Sequence, residues 1–272
     1  MTHNYSIAVL CPTRGRTVPL GLAIKSVVNR ADKLDKIQIL LGFDDDDEVG
    51  LKYFEEDLQP WLEEKGVAYT ALQFERMGYA GLNRYYNGLA EQSDADWFLS
   101  WSDDAVMETQ GWDSVMMDHK NEFKLLKAHA HNEHPYSIFP MWPRAWYDLF
   151  GHCSRHQMID AELSQMAYML DLIEIVPIYI THNRPDLVQG EADSTHKERV
   201  LFEGNPYNPQ DFHNLNFINS RMKDCDTIAE HLKAKGIDTT WWEGVKAGKN
   251  DPWTKMRAND PNGQMMQIQV PT

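Results

Sequence analysis

An α/β protein with a mostly parallel central sheet is the fold class this sequence predicts, and three observations predict it. Short apolar runs alternate with helix-length amphipathic segments through the first half of the chain. Two of those runs, in "IQILLGFDDDDEVG" and "DWFLSWSDDAVM", stop abruptly in aspartates. Strand–helix–strand series of this kind fold by right-handed crossovers into parallel strands, and open sheets so built bind ligands outside the carboxyl ends of the strands. Both acid clusters therefore fall on one rim of one sheet, together with the "TRGR" that follows the first strand.

The elements follow in order. "SIAVLCP" is a short β-branched run stopped by Pro12, a buried strand by its length and flanks. In "TRGRTVPLGLAIKSVVNR", Thr17 is positioned as an N-cap and Pro19 suits a first helical turn, with Leu22 and Val27 on the apolar face. "KIQILLGF" is a second strand, and "VGLKYFEEDLQPWLEEKG" a helix broken or kinked near Pro60. "VAYTALQF" is a third strand. "YAGLNRYYNGLAEQ" is a helix with Leu82, Tyr85, Tyr86 and Leu89 on one face, and "ADWFLSW" a fourth strand. Beyond Gly111 the alternation changes. "MIDAELSQMAYMLDLI" carries Ile159, Leu163, Met166, Ala167 and Leu170 in helical register, and "EIVPIYITHN" is a further strand ending at His182. After about Pro185 the chain turns polar and turn-rich, "SRMKDCDTIAEHLKAKG" forms a late amphipathic helix, and the tail from Asp251 reads as loosely structured. There is no internal repeat.

Composition narrows the function classes. The chain of 272 residues is 42% hydrophobic with a formal net charge of −15, so its field repels polyphosphates and anionic membranes. Three widely spaced cysteines, an odd number, suit reduced thiols in a cytoplasmic setting. No apolar run is long enough to cross a bilayer, and the N-terminus lacks a cationic head followed by an apolar stretch, so membrane insertion and secretion are not expected.

Each candidate motif has two readings. Asp44 to Asp47 form either a solvated turn or part of a carboxylate cluster, and a second cluster at Asp103 and Asp104 on the same rim favours the latter. Converging carboxylates repel unless a cation lies between them, and hard oxygen ligands suit Mg²⁺ or Mn²⁺. Such a cation in turn holds a diphosphate. Arg14 and Arg16 are either exposed turn residues or guanidinium contacts to a base or phosphate. No GxxxxGK[ST] or GxGxxG loop occurs anywhere. His182 at a strand end is either structural or a ligand, and Asp160 either solvates a helix or completes a site. Trp101, Trp112, Trp142 and Trp146, with Tyr147, form either an aromatic platform or core.

At these residues the chain resembles a family. "IAVLCPTRGR…LGLAIKSV…IQILLGFDDDD…GLNRYYNGLAEQSDADWFLSWSDDAVMETQGWD" resembles the donor half of a GT-A fold glycosyltransferase of the family-2-like kind. "FPMWPRAWYDLFGHCSRHQMIDAELSQMAYMLDLIEIVPIYITHNRP" resembles its acceptor half. The likeness runs from about Ile7 to Thr195. It implies a GT-A domain over 1–195, with the donor half about 1–112 and the acceptor half about 113–195. Residues 196–272 are then an extension packed on that domain.

The resemblance also implies a metal-dependent transferase using a nucleotide-diphospho-sugar. Pro12, Thr13, Arg14, Arg16, Asp44, Asp45, Asn87 and Asp103 would contact the donor, Asp104 and His182 would hold Mn²⁺ or Mg²⁺, and Asp160 would be the base of an inverting reaction. The metal motif reads Trp101-Ser102-Asp103-Asp104, without the first acid of a full DxD. The expected acceptor is a glycan or other hydroxyl, with hydroxymethylated DNA bases, as in some phage-type enzymes, as an alternative. An inactive nucleotide-sugar binding module and a nucleotidyltransferase are the other readings.

Overall fold

The computed structural model describes residues 5–130, 134–183, 194–203 and 212–258. The turn-rich stretches over 184–193 and 204–211 and the tail beyond 258 lie outside the described residues.

Strand β1 (Ile7–Thr13) leads into α1 (Thr17–Asn29). Strand β2 (Ile37–Asp44) is buried along its whole length, and β3 is Ala68–Phe74. Between them α2 (Glu48–Tyr53) passes through a π-turn, Phe54–Leu58, into α3 (Gln59–Lys65). The break expected at Pro60 is thus a π-turn just upstream. Proline has no N–H to return to the carbonyl four residues back, and the widened turn absorbs that loss.

Helix α4 (Leu82–Ala90) precedes β4 (Trp97–Ser100). The chain then adds β5 (Ala105–Met107), α5 (Trp112–Asp118), β6 (Leu125–Ala130), β7 (Met141–Pro143) and α6 (Arg144–Phe150). Helix α7 (Ile159–Leu170) and β8 (Ile173–His182) follow. The later helices are α8 (Ser194–Glu203), α9 (Leu215–Ala234), α10 (Thr240–Lys246) and α11 (Trp253–Ala258).

The eight strands form one sheet in the order β3-β2-β1-β4-β7-β6-β8-β5. The first four are mutually parallel, as are β6 and β8, while β7 and β5 run against their neighbours. A mixed sheet flanked by helices is what forms, parallel in four of its seven pairings.

Several local expectations are corrected. Thr17 is the first helical residue, and Arg16 holds the cap position with no side-chain cap bond. Leu22 is 60% exposed, because the buried face of α1 is Leu20, Ala23, Ile24, Val27 and Val28. Of the two readings of Trp101, Trp112, Trp142 and Trp146, platform or core, the core reading holds: all four are fully buried. Indole area is large, and its removal from water outweighs any surface role here. The segment after Asp251 includes α11, whose Trp253 and Met256 are buried.

Helix α7 reads in sequence as one apolar stripe, yet every residue in it except Asp160 is buried. Helices α9, α10 and α11 pack against it and cover the side that a solvated helix would expose. The core lies on both faces of the sheet. One face holds α1 and the α2–α3 segment, and the other holds α4, α6, α7 and α9.

Candidate functional site

The site is assembled from strand ends. Strand β1 finishes at Pro12 and Thr13, beside Gly42 and Phe43 of β2. The loop Arg14-Gly15-Arg16 turns through Gly15 at φ +65°, a left-handed conformation that glycine adopts without steric cost. Asp47 fixes this turn: one carboxylate oxygen accepts from the Gly15 amide at 2.8 Å, and the other caps α2 by accepting from the Gly50 amide at 3.0 Å. A cleft of about 420 Å³ opens between the two loops, lined by Arg14, Gly15, Arg16, Asp46, Asp47, Glu48 and Val49.

Asp44, the last residue of β2, is buried and accepts two bonds. Arg14 Nη1 donates to it at 2.7 Å, and the Tyr85 hydroxyl of α4 donates to its other oxygen. Burial and this bond to Asp44 push the Tyr85 phenol up to about 12, so it stays protonated and remains a donor. Arg14 also grips Asp46 with both terminal nitrogens. Asp45 accepts from the Arg76 amide at 3.3 Å, and Arg76 reaches Asp46 at 3.7 Å and Glu198 of α8 at 3.4 Å.

The second cluster follows β4. Thr13 Oγ1 donates to Asp103 at 2.8 Å, and Arg16 Nη1 bridges Asp103 at 2.7 Å and Asp104 at 3.2 Å. Antiparallel pairing of β5 with β8 places Ala105 opposite His182 in register. The preceding residue, Asp104, thereby meets that imidazole, with His182 Nε2 at 3.1 Å from its Oδ1. Ser102 Oγ donates to the same oxygen. Residues far apart in sequence are thus joined at one point of the rim.

The two adjacent aspartates have opposite electrostatics. Burial pushes Asp103 up to about 6, with Asp104 adding to the rise while Arg16 and Thr13 oppose it. Burial also opposes ionisation of Asp104. There the hydrogen bond and charge of His182, with Ser102 and Arg16, win and hold it well below the usual carboxylate range.

A stability prediction follows for chelator-treated protein. Between about pH 4 and 6 the folded chain holds a proton on Asp103 that the unfolded chain has lost, so this group's contribution to stability falls as pH rises through that window. Above it the buried charge is a net cost. Asp103→Asn is expected to raise stability by on the order of 2 kcal/mol at pH 7.5. Near pH 4 it should change little, as read from melting temperatures at the two pH values.

Asp160 stands in the first turn of α7, half-exposed. It lies within electrostatic reach of the phenols of Tyr86 and Tyr136. Tyr86 also lies within electrostatic reach of Asp103 and donates to the Trp101 carbonyl at 3.1 Å, so one buried phenol is near both the acid cluster and Asp160. Asn87 of α4 binds the backbone of the loop before α7. Its carboxamide oxygen accepts from the Cys153 amide at 2.7 Å, and its nitrogen donates to the Ser154 carbonyl at 3.0 Å, which ties α4 to the loop before α7.

Sequence reasoning did not single out Tyr85, Ser102 or Arg76. Tyr85 shares the apolar stripe of its helix, and nothing in the periodicity distinguishes a tyrosine whose hydroxyl meets Asp44.

The donor set fits a divalent cation supplied with phosphate. Among the described residues no group of three or more His, Cys, Asp or Glu side chains forms a complete cage. Asp104 and His182 offer one carboxylate and one imidazole, and Mg²⁺- or Mn²⁺-type ions commonly take the remaining ligands from substrate phosphate and water. Charge points the same way. Among the described residues, six carboxylates, Asp44 to Asp47 with Asp103 and Asp104, face three guanidinium groups, Arg14, Arg16 and Arg76.

No family model matches the chain, and no curated protein sequence does. Solved structures do match in fold. TarS 1–349 of S. aureus superposes with a TM-score of 0.53 at 12% identity, over 89% of this chain and 92% of that one. Its complex with UDP-GlcNAc gives 0.53 and 12%, over 90% and 92%. The mannosyltransferase PcManGT from Pyrobaculum calidifontis, in complex with GDP-Man and Mn²⁺, gives 0.52 and 11%, over 95% and 85%. The chain therefore has the GT-A-like fold of nucleotide-sugar glycosyltransferases. Among the described residues no helix is long and apolar enough to cross a membrane.

Proposed function

We propose that the protein is a glycosyltransferase moving a sugar from a nucleotide-diphospho-sugar, first of all a UDP-sugar, to an acceptor hydroxyl with inversion. The observation that carries this reading is the meeting of Asp104 with His182 on the rim that also holds the Arg14–Asp44 and Arg16–Asp103 pairs. Pro12, Thr13, Arg14, Asp44 and Asp45 bind the nucleoside end of the donor, while Arg16 and Asp103 face its diphosphate and sugar. Asp104 and His182 would hold Mn²⁺ or Mg²⁺, which when bound would supply positive charge for the leaving diphosphate. Asn87 acts one step back, by fixing the loop that leads to Asp160.

In the reaction the acceptor oxygen bonds to the anomeric carbon as the bond from that carbon to the phosphate oxygen breaks. The electron pair leaves with the nucleoside diphosphate, and the acceptor proton passes to the Asp160 carboxylate. A neutral sugar or glycan hydroxyl is the acceptor we favour, since a net charge of −15 works against polyanionic DNA. Three unpaired, buried thiols, Cys11, Cys153 and Cys225, fit a reducing cytoplasm.

Incubating the protein with a panel of UDP- and GDP-sugars, with and without Mn²⁺, tests this through slow release of free sugar to water. Turnover of one donor, stimulated by Mn²⁺, is expected. Nucleotide binding with no turnover of any donor means a binding module, and turnover that requires pyrophosphate means a nucleotidyltransferase.

A further inference from the structure

The approach to Asp160 is a loop, Cys153 to Met158, that forms neither helix nor strand. Such a segment needs outside contacts to hold one conformation. This loop is bound from three directions. From α4, Asn87 takes both the Cys153 and Ser154 amides on one oxygen and returns a bond to the Ser154 carbonyl. From α9, Asp224 and Ser220 receive the Arg155 guanidinium, with Asp224 at 3.0 Å and 98% buried.

The third contact comes from α7 itself. Glu162, two residues beyond Asp160 and buried to 2% exposure, turns back to the loop. A single oxygen accepts from the Ser154 hydroxyl, from the Arg155 amide at 3.2 Å and from the His156 amide at 3.0 Å. A carboxylate so deeply buried is costly unless its acceptors are used. Here they are spent on the loop rather than on any substrate-facing group. Asp160 and Glu162 share the first turn of α7, so whatever fixes Glu162 against the loop fixes the height and rotation at which Asp160 leaves the helix.

We propose that Glu162 is a positioning residue for Asp160. It locks the 153–158 loop to the start of α7, and the Arg155–Asp224 pair brings α9 of the C-terminal region into the same lock. The proposal rests on Asp160 being the base. It makes that region part of the acceptor-side machinery: a misplacement of about 1 Å at a reacting group can cost about 100-fold in rate.

The test uses the full chain and whichever UDP- or GDP-sugar the panel shows to be hydrolysed. It measures kcat and KM separately, together with UDP or GDP binding by calorimetry in Mn²⁺. Glu162→Ala is expected to lower kcat by about 100-fold, with KM and nucleotide affinity within about threefold of the parent. Glu162→Gln keeps an oxygen for the two amides and is expected to lose only about three- to tenfold. Asp224→Ala, which leaves Arg155 held on α9 by Ser220 alone, should lose about tenfold with KM again unchanged.

A parent-like kcat in Glu162→Ala beside an inactive Asp160→Asn overturns the positioning role alone. Donor hydrolysis surviving in Asp160→Asn overturns the base assignment beneath it. Should Glu162→Ala fail to melt cooperatively, Glu162→Gln decides. A kcat loss of threefold or more at constant KM supports the role, and a parent-like kcat overturns it.

Discussion

Asp160→Asn is expected to reduce sugar transfer by about 10²- to 10⁴-fold, the range over which a general base contributes, while the protein binds UDP or GDP in Mn²⁺ as tightly as before. The substitution keeps shape while removing the negative charge and with it the ability to take a proton. Asp160 is the one residue of α7 that is not buried, so the change leaves the packing of that helix undisturbed. Asp160 and Asp103 of the acidic rim both lie within electrostatic reach of the Tyr86 phenol. Loss of proton abstraction should therefore separate cleanly from loss of donor affinity. Single-turnover transfer measured beside calorimetric nucleotide binding checks this. A parallel fall in both would make Asp160 part of the donor pocket and leave the reaction without its base.

The rim was legible in the sequence because its logic is local. An apolar run that stops in acid is a strand end, and parallel strands place their carboxyl ends together. Asp44, Asp103, Asp104 and His182 all follow from that rule, and all four lie at or just past strand ends in the structure. What brings Asp104 against His182 was not legible. It depends on β5, three residues long, pairing antiparallel with the end of β8, and a strand of that length has no periodicity to read.

Strands β6 and β7 were missed for a related reason, since short runs in a mixed region give no alternation. The tryptophans were left open by the sequence, as platform or core. Their spacing permits a platform, and only the three-dimensional packing reveals that every one of the four is sealed in the core. Glu162 and Tyr85 were hidden by their own helices. Each occupies a position that periodicity assigns to an ordinary buried face, and its polar atom matters only through a partner, Ser154 or Asp44, contributed by another part of the chain.

The second large effect is expected from Asp104. Its carboxylate accepts from His182, Ser102 and Arg16 together, which makes it the most strongly held negative charge on the rim. Asp104→Asn removes that charge and turns either an oxygen or an amide N–H toward groups that are themselves donors. On the proposed function, Mn²⁺-stimulated donor hydrolysis should fall by about 100-fold, since the cation site would lose its carboxylate. UDP binding should lose its dependence on Mn²⁺.

His182→Ala should act in the same direction, and the double variant should be little worse than either single one, because the two side chains meet at one point. Stability offers an independent check. The depressed ionisation of Asp104 means that it stabilises the fold above the usual carboxylate range, and that this contribution is lost as pH falls through and below that range. Asp104→Asn should therefore lower the melting temperature at pH 7.5, where Asp103→Asn raises it. Two neighbouring carboxylates would then move stability in opposite directions while both impair the donor site. Melting curves that shift the same way for both would show that Arg16 and His182 do not divide them as the geometry requires.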